Sequence, residues 1–466
     1  MVNFPIPRRA FLRQTAFGAA SLVAPPLLFS QVPGERPPAA SGCEVLPPRG
    51  RIPVSLIIDD STCLVNVNRF AMPQFNDAFA GANPVYQRNW HDWPVEIPDA
   101  FVREFGEWAA ASGVKGKFSI VPFPACVGRL DRGLPGWSQV ELRDSLELIR
   151  TVMLPRWDIH PEMVTHTRVI DLSTGAPHAD YSPRFMENWE WTTGRSVDEI
   201  GSYLAFALRI LREVGLPCEG ITTPGGFGNR ALPQLSQASG EALRDVFQTE
   251  VPHYFRHVID QGTDSVSPRV EYVRGLEGSD PRCVVSVIAC TGDWTGGWDC
   301  TEPVGADRFI TADGRSGRLV EVIERGEPAL LLAHWTGVYW NGQKLGLRIF
   351  QEVVRRLHQR FDHLVWMKLS EIARYWAARE LTRIETTPNG IQLLAPYSCS
   401  DFTLRIQVPP TATPVLEFES GLGQSKVAFR EVTRASDLVA GRWHRSNAGM
   451  KLCFDLPKGR SQLGWK

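Results

Sequence analysis

Asp59 and Asp60 directly follow the apolar run Val54-Ser55-Leu56-Ile57-Ile58. A short, β-branched-rich apolar run reads as a buried parallel strand. Side chains alternate along a strand, so two adjacent acids cannot share one environment. Acids placed where a parallel strand opens into a loop suit a centre in which one carboxylate binds a metal ion and the other activates water. An Asp at such a position also serves as a plain helix cap, so the rest of the chain must decide. Two later segments carry further chemistry. Trp157-Asp158-Ile159-His160-Pro161-Glu162-Met163-Val164-Thr165-His166 brings acids and histidines together, and Leu330-Leu331-Leu332-Ala333-His334 delivers a histidine at the end of a hydrophobic run. Imidazole and carboxylate groups are zinc ligands. On a helix Glu162 and His166 would lie one turn apart and face a common ion. His160 and His166 could share an ion only through an irregular loop. The competing readings are a strand-end histidine hydrogen-bonded to its neighbours for His160 and a core histidine for His334.

These residues need a scaffold. Apolar strand candidates lie at 53–58, 117–121, 156–160, 219–223, 284–290, 329–333 and 364–368. Amphipathic helical stretches separate them. One covers 100–112. Two others open on capping boxes, Ser138-Gln139-Val140-Glu141 and Ser196-Val197-Asp198-Glu199, and a fourth covers 343–361. This alternation predicts an α/β fold with a mostly parallel sheet, whose seven strands could close into a barrel. Beyond residue 381 short apolar runs alternate with Gly, Pro, Asn and Ser, which predicts a small antiparallel β unit. The expected division is 1–50 as export signal and linker, 51–380 as the α/β unit, and 381–466 as the small β domain.

Composition limits the partners. A chain of 466 residues with a formal net charge of −1 gives no electrostatic support to nucleic-acid or anionic-membrane binding. Several of the 15 tryptophans sit in Gly- and Asn-rich stretches, as in clefts where a ring face meets a sugar, whereas Trp108, Trp366 and Trp376 read as core. The nine cysteines are scattered, without a Cys-x-x-Cys pair, which suggests neither a zinc ribbon nor a dense disulfide framework and leaves room for isolated disulfides. At the N-terminus, Pro7-Arg8-Arg9-Ala10-Phe11-Leu12-Arg13 resembles a twin-arginine export signal. The apolar stretch after it is too short and too broken by Pro25-Pro26 for a stable membrane span. The Pro- and Ala-rich residues 31–50 read as a linker, and the implied location is periplasmic or extracellular.

Residues 51–380 resemble the polysaccharide deacetylase family. The resemblance rests on Ile57-Ile58-Asp59-Asp60, on Gly113-Val114-Lys115-Gly116-Lys117-Phe118-Ser119-Ile120-Val121, on the 157–167 segment, on the strand ending at His334, and on Val365-Trp366-Met367-Lys368-Leu369-Ser370-Glu371-Ile372. It implies an irregular seven-stranded (β/α) barrel of polysaccharide deacetylase type, with a small C-terminal β unit appended. It also implies metal-dependent hydrolysis of N-acetyl or related acyl groups on a carbohydrate or glycan. Asp59 is then the base, His334 the acid, and Asp60 and His166 metal ligands, with either Glu162 or His160 as the third; Asp293, Asp299 and His178 stand next in line. Zinc is the metal implied, and Glu162 would also suit a harder ion. Trp294, Trp298, Trp335, Pro224 and Gly225 are the expected substrate contacts. The sequence departs from the family pattern in two places: Glu162 stands where the family has a histidine, and Thr222-Thr223-Pro224-Gly225 lacks the arginine that orients the catalytic aspartate. Another cation must then steady Asp59. Two other readings remain: a non-catalytic carbohydrate-binding protein on a decayed scaffold, and a phosphatase-like hydrolase with Asp59 as nucleophile, which Ser61 disfavours. The sequence does not specify an oligomeric state.

The export reading is testable directly. Changing Arg8 and Arg9 together to lysine should leave the protein in the cytoplasm; unchanged distribution on cell fractionation would remove the twin-arginine assignment.

Overall fold

The computed structural model describes residues 32–40, 42–300, 305–388, 390–407, 413–420, 423–446 and 449–465; the export signal read at the N-terminus lies outside the described residues. Along the chain the elements that matter for the site begin with β1 (Cys43–Leu46), β2 (Ile52–Asp59), α1 (Val67–Ala78), α2 (Asp99–Ala111) and β3 (Gly116–Ser119). There follow α3 (Gln139–Leu148), β4 (Trp157–His160), α4 (Val197–Glu213), β5 (Gly220–Thr222), α5 (Leu232–Phe247), β6 (His253–Val258), β7 (Arg269–Arg274) and β8 (Arg282–Ala289). The last of this region are β9 (Ala329–His334), α6 (Leu345–Arg360), β10 (Leu364–Trp366) and α7 (Leu369–Leu381).

The strands form two sheets. One has the order β9-β2-β3-β4, all parallel, with β10 beside the first residues of β2. The other has the order β5-β6-β8-β7, parallel except for β7. Two seams join them. A parallel bridge couples Glu162 to Thr222, and Cys290 N donates to Leu330 O at 2.8 Å. Burial explains the composition of β2, whose eight residues are all buried. The capping boxes at Ser138 and Ser196 both form, with each serine accepting the amide of the glutamate three residues on.

Three strands differ from expectation. The strand read at 364–368 pairs only with Ile52, Pro53 and Val54. Strands β6 and β7 were not foreseen, because His253, Arg256, His257, Arg269, Glu271 and Arg274 break the apolar pattern.

Residues 383–465 form two five-stranded sheets together with β1, which pairs antiparallel with Cys399–Ile406. Helix α7 lies between these sheets and the parallel strands. Its Leu369, Ile372, Tyr375 and Trp376 share one core with Val285, Val287, Leu330 and Leu332 on one side and Leu393, Phe402 and Leu452 on the other. The described segments 32–40 and 42–50 pack on the rest of the chain rather than forming a free linker. The Glu35 carboxylate accepts the amides of Gly275 and Leu276, and Arg36 Nη2 donates to Val270 O at 2.5 Å. All nine cysteines are free. No described helix is long and apolar enough to cross a membrane.

Glu271 on β7 supplies a test of packing. It is 1% exposed and accepts hydrogen bonds from Ser236 and Tyr254. Burial pushes its carboxyl up to about 7, against the pull of these two hydroxyls and of Arg269 and Arg36. A carboxyl with a raised folded-state pKa stabilises the fold at low pH and loses that contribution as pH rises through about 7. Glu271→Gln cannot ionise. It should match the wild type at low pH and exceed it above neutrality, by on the order of 3 kcal/mol at most. Denaturant titrations across that range check this; equal pH profiles for the two proteins would overturn it.

Candidate active site

The site lies at the C-terminal ends of β2, β4 and β9. Asp59 closes β2, and Asp60 then takes φ +58°, which sends the two side chains apart. Asp60 Oδ1 lies 2.7 Å from His166 Nε2, and His166 Nε2 lies 3.4 Å from Glu162 Oε1. Glu162 also accepts the Asp60 amide at 2.8 Å. Asn68 on α1 donates to Asp60 Oδ2 at 2.8 Å, and its amide also reaches Thr336 and the Trp298 carbonyl. One ligand atom from each of Asp60, Glu162 and His166 lies within 4.8 Å of the others.

This group fits a divalent cation on its own chemistry. Burial works against charge on all three residues, yet the two carboxylates raise His166 well above its ordinary value, and His166 in turn holds Asp60 and Glu162 low. A positive charge among the carboxylates is therefore strongly favoured. The short Asp60–His166 contact is not aligned as a hydrogen bond, and Asp60 Oδ1 has no hydrogen-bond partner among the described residues. Two carboxylates and one imidazole are a normal ligand set for zinc and for harder ions.

The geometry groups Glu162, not His160, with Asp60 and His166. His160 ends β4 and points into the interior, where its Nε2 lies 2.9 Å from His253 Nε2 and its Nδ1 lies 3.2 Å from Thr222 Oγ1. A Cβ on residue 220 would come within 2.3 Å of His160 Nε2 and 2.4 Å of His253 Nε2, so the pair requires Gly220. Asp158, His160 and His253 are also close enough to surround an ion. Asp158, however, already caps α7 by accepting Ser370 N at 2.6 Å and Ser370 Oγ at 2.8 Å. Burial lowers both histidines, which keeps the pair neutral and mutually hydrogen-bonded. The helical spacing expected between Glu162 and His166 is not realised either. Residues 161–167 form an irregular loop, with Met163 and His166 left-handed at φ +53° and +64°.

Asp59 has its cation. Lys117 on β3 is fully buried and its ammonium donates to Asp59 Oδ1, to Ile58 O at 3.0 Å and to Ser119 Oγ at 2.7 Å. Burial pushes the Asp59 carboxyl up to about 7, with Lys117 opposing and Glu162 reinforcing the rise. His334 stands opposite Asp59 in the β2–β9 register, and its Nδ1 is paired with Asp293 Oδ2 at 2.8 Å. Burial would lower His334, but Asp293, Asp60 and Asp59 together raise it to about 10.

The expected substrate contacts divide. Trp298 is partly exposed, in an aromatic group with Phe75, Tyr86 and Trp189, and Phe75 also lies 6.4 Å from the His166 ring. Trp335 is 1% exposed and packed among Phe101, Phe105 and Phe118, so it belongs to the core. Trp294 is also buried, edge-on to Phe309 and beneath Arg308. Pro224 is buried and Gly225 is exposed, at a turn whose Gly226 amide donates to Asn188 O at 2.5 Å. Of the reserve ligand candidates, Asp299 pairs with Arg88 and His178 lies against Phe185 with the rings tilted, centroids 4.7 Å apart. Sequence reading missed Asn68, Trp189, the direction of Lys117, and Glu187, whose carboxylate accepts the His166 amide at 2.6 Å; only Lys117 left a signal, a lone cation inside an apolar strand.

No family model matches the chain, and no curated protein matches it. Among solved structures, the chain is similar to a protein of Parabacteroides distasonis described as a candidate glycoside hydrolase/deacetylase. The identity is 14% and the TM-score 0.36, over 85% of this chain and 90% of that one. Similarity this distant leaves the functional reading to the site itself.

Metal content per chain after dialysis, with circular dichroism to verify folding, tests the ligand set. Asp60→Ala, His166→Ala and Glu162→Ala should each strip the metal, while His160→Ala should keep it. A folded His166→Ala protein with full metal would refute the site.

Proposed function

We propose that this chain is a metal-dependent hydrolase that removes N-acetyl or related acyl groups from a carbohydrate or glycan. The observation that carries the reading is the convergence of a buried Asp60–Glu162–His166 group with two charged pairs, Asp59–Lys117 and His334–Asp293, at the ends of parallel strands. The scaffold is read as an irregular seven-stranded (β/α) barrel, β2-β3-β4-β5-β6-β8-β9, for which the seams at Glu162–Thr222 and Cys290–Leu330 are the support. Asp60, Glu162 and His166 would hold the ion, with zinc the first choice. When bound, the ion polarises the acyl carbonyl and makes water a better nucleophile.

The chain's own residues supply the proton transfers. Asp59, tuned close to neutrality, takes a proton from the attacking water as the oxygen adds to the carbonyl carbon. His334 is kept protonated by Asp293 and gives its proton to the departing nitrogen as the C–N bond breaks. Water is consumed, and a carboxylate and an amine are released. Lys117 holds Asp59 at a fixed position and stabilises its charged form. The partly exposed rings of Trp298, Trp189 and Tyr86 give a sugar ring apolar faces beside this centre. Lys117 also answers one of the two departures that favour a decayed scaffold, the other being Glu162, since it gives Asp59 the cation that the 222–225 turn lacks. A periplasmic or extracellular location belongs to the same proposal and rests on the N-terminal motif.

The test is acetate release from chitin oligomers and peptidoglycan fragments by the zinc-loaded protein. Asp59→Asn should lower the rate by roughly 10²–10⁴-fold, the usual contribution of a general base, with metal content unchanged. Lys117→Met should lower kcat in the same direction without emptying the site. No acetate release from any N-acetylated glycan would refute the reading. If Asp59→Asn empties the site and Asp60→Asn does not, the two aspartates exchange roles.

A further inference from the structure

We propose that Glu187 is the positioning residue that sets His166 for the metal ion, an inference that rests on the metal-site reading above. A histidine ligand is normally oriented through its second ring nitrogen, which donates to a carboxylate or carbonyl. His166 lacks that device: its Nδ1 is buried and has no hydrogen-bond partner among the described residues. The ring must therefore be oriented through its backbone, and the backbone is left-handed at φ +64°.

Glu187 supplies the restraint. It is 0% exposed, and its carboxylate grips three consecutive amides of the ligand loop. Oε1 accepts Val164 N at 3.2 Å and Thr165 N at 3.1 Å, and Oε2 accepts Thr165 N at 3.1 Å and His166 N at 2.6 Å. The carboxylate is held from behind by Tyr203 of α4, whose hydroxyl donates to Oε1 at 2.5 Å and accepts Ile170 N at 3.1 Å. The Glu187 amide in turn donates to Thr167 O at 2.7 Å, so the loop is tied at both edges. Successive amides converging on one acceptor impose the turn that brings His166 Nε2 to Asp60. Without the carboxylate, three buried amides lose their acceptor, and the His166 ring keeps only its Nε2 contacts with the two carboxylates it must share with the ion.

Zinc affinity, measured by competition with a chelating indicator, tests this without any assay of hydrolysis. Glu187→Gln preserves shape but presents an amide nitrogen to the loop's N–H groups. It should weaken zinc binding by roughly 10–100-fold, the usual cost of losing a ligand's supporting partner. Tyr203→Phe should weaken it less, in the same direction. Glu271→Gln, a buried carboxylate changed away from the site, should leave affinity unaltered and so controls for a general effect on folding. If Asp60→Ala binds zinc like the wild type, the metal-site reading fails. If Asp60→Ala loses zinc while Glu187→Gln keeps wild-type affinity, the role of Glu187 is refuted. Should Glu187→Gln not fold, Tyr203→Phe decides: wild-type affinity in that variant overturns the proposal.

Discussion

Four carboxylates, Asp59, Asp60, Glu162 and Glu187, are each 5% exposed or less, and the surrounding structure is organised by the need to compensate their charge. An uncompensated buried carboxylate costs several kcal/mol, a large part of the stability of a typical domain. The chain compensates each differently. Asp59 has the Lys117 ammonium; Asp60 and Glu162 share His166; Glu187 has backbone amides and a phenol. The differences set their chemistry. Asp59 and Glu187 rest near neutrality at about 7, whereas Asp60 and Glu162 are held low. In the proposed hydrolase the base must be able to take up a proton and the ligands must stay ionised, and the different partners of Asp59 and of Asp60 and Glu162 suit them to these two roles.

Parallel strands make this placement feasible. Their C-terminal ends deliver side chains to one rim, and β2 and β9 set Asp59 opposite His334 in direct register. Below that rim the interior is also polar, and it is closed by mutual satisfaction. His160 pairs with His253, and Asp158 caps α7. The cap has a consequence for the rim: α7 is anchored to β4 two residues before His160, and the same helix carries the core that joins the parallel strands to the C-terminal sheets. Site geometry and C-terminal packing thus share one element.

Much of this was legible in the sequence. Apolar runs gave β2, β8 and β9 because these strands are buried on both faces, and the two capping boxes gave the starts of α3 and α4 because their signal is local. Asp59, Asp60, His166 and His334 stood out as polar residues at the ends of such runs. What failed depended on tertiary context. Trp335 follows His334 directly, yet it turns back into the ring cluster of Phe101 and Phe105. His160 and Glu162 could not be separated because the choice depends on Met163 and His166 taking left-handed backbone, which neither residue type announces. Glu187 lies 21 residues from His166 in a stretch without helical or strand periodicity.

Lys117 supplies beside Asp59 a cation that the 222–225 turn does not carry. An ion pair requires only that opposite charges meet in the same low-dielectric space, not that they come from a given strand. Lys117 arrives from β3, the immediate neighbour of β2, and all three of its ammonium protons are used, on Asp59, Ile58 and Ser119. This is a more enclosed arrangement than a cation reaching across from a turn. It fixes the charge beneath Asp59 and leaves the turn at Pro224-Gly225 without an electrostatic task. That turn is then free to follow a different constraint, and its Gly226 amide donates to the carbonyl of Asn188, next in the chain to Glu187. Thus β3 supplies the charge beneath Asp59, and the turn braces the segment that carries Glu187.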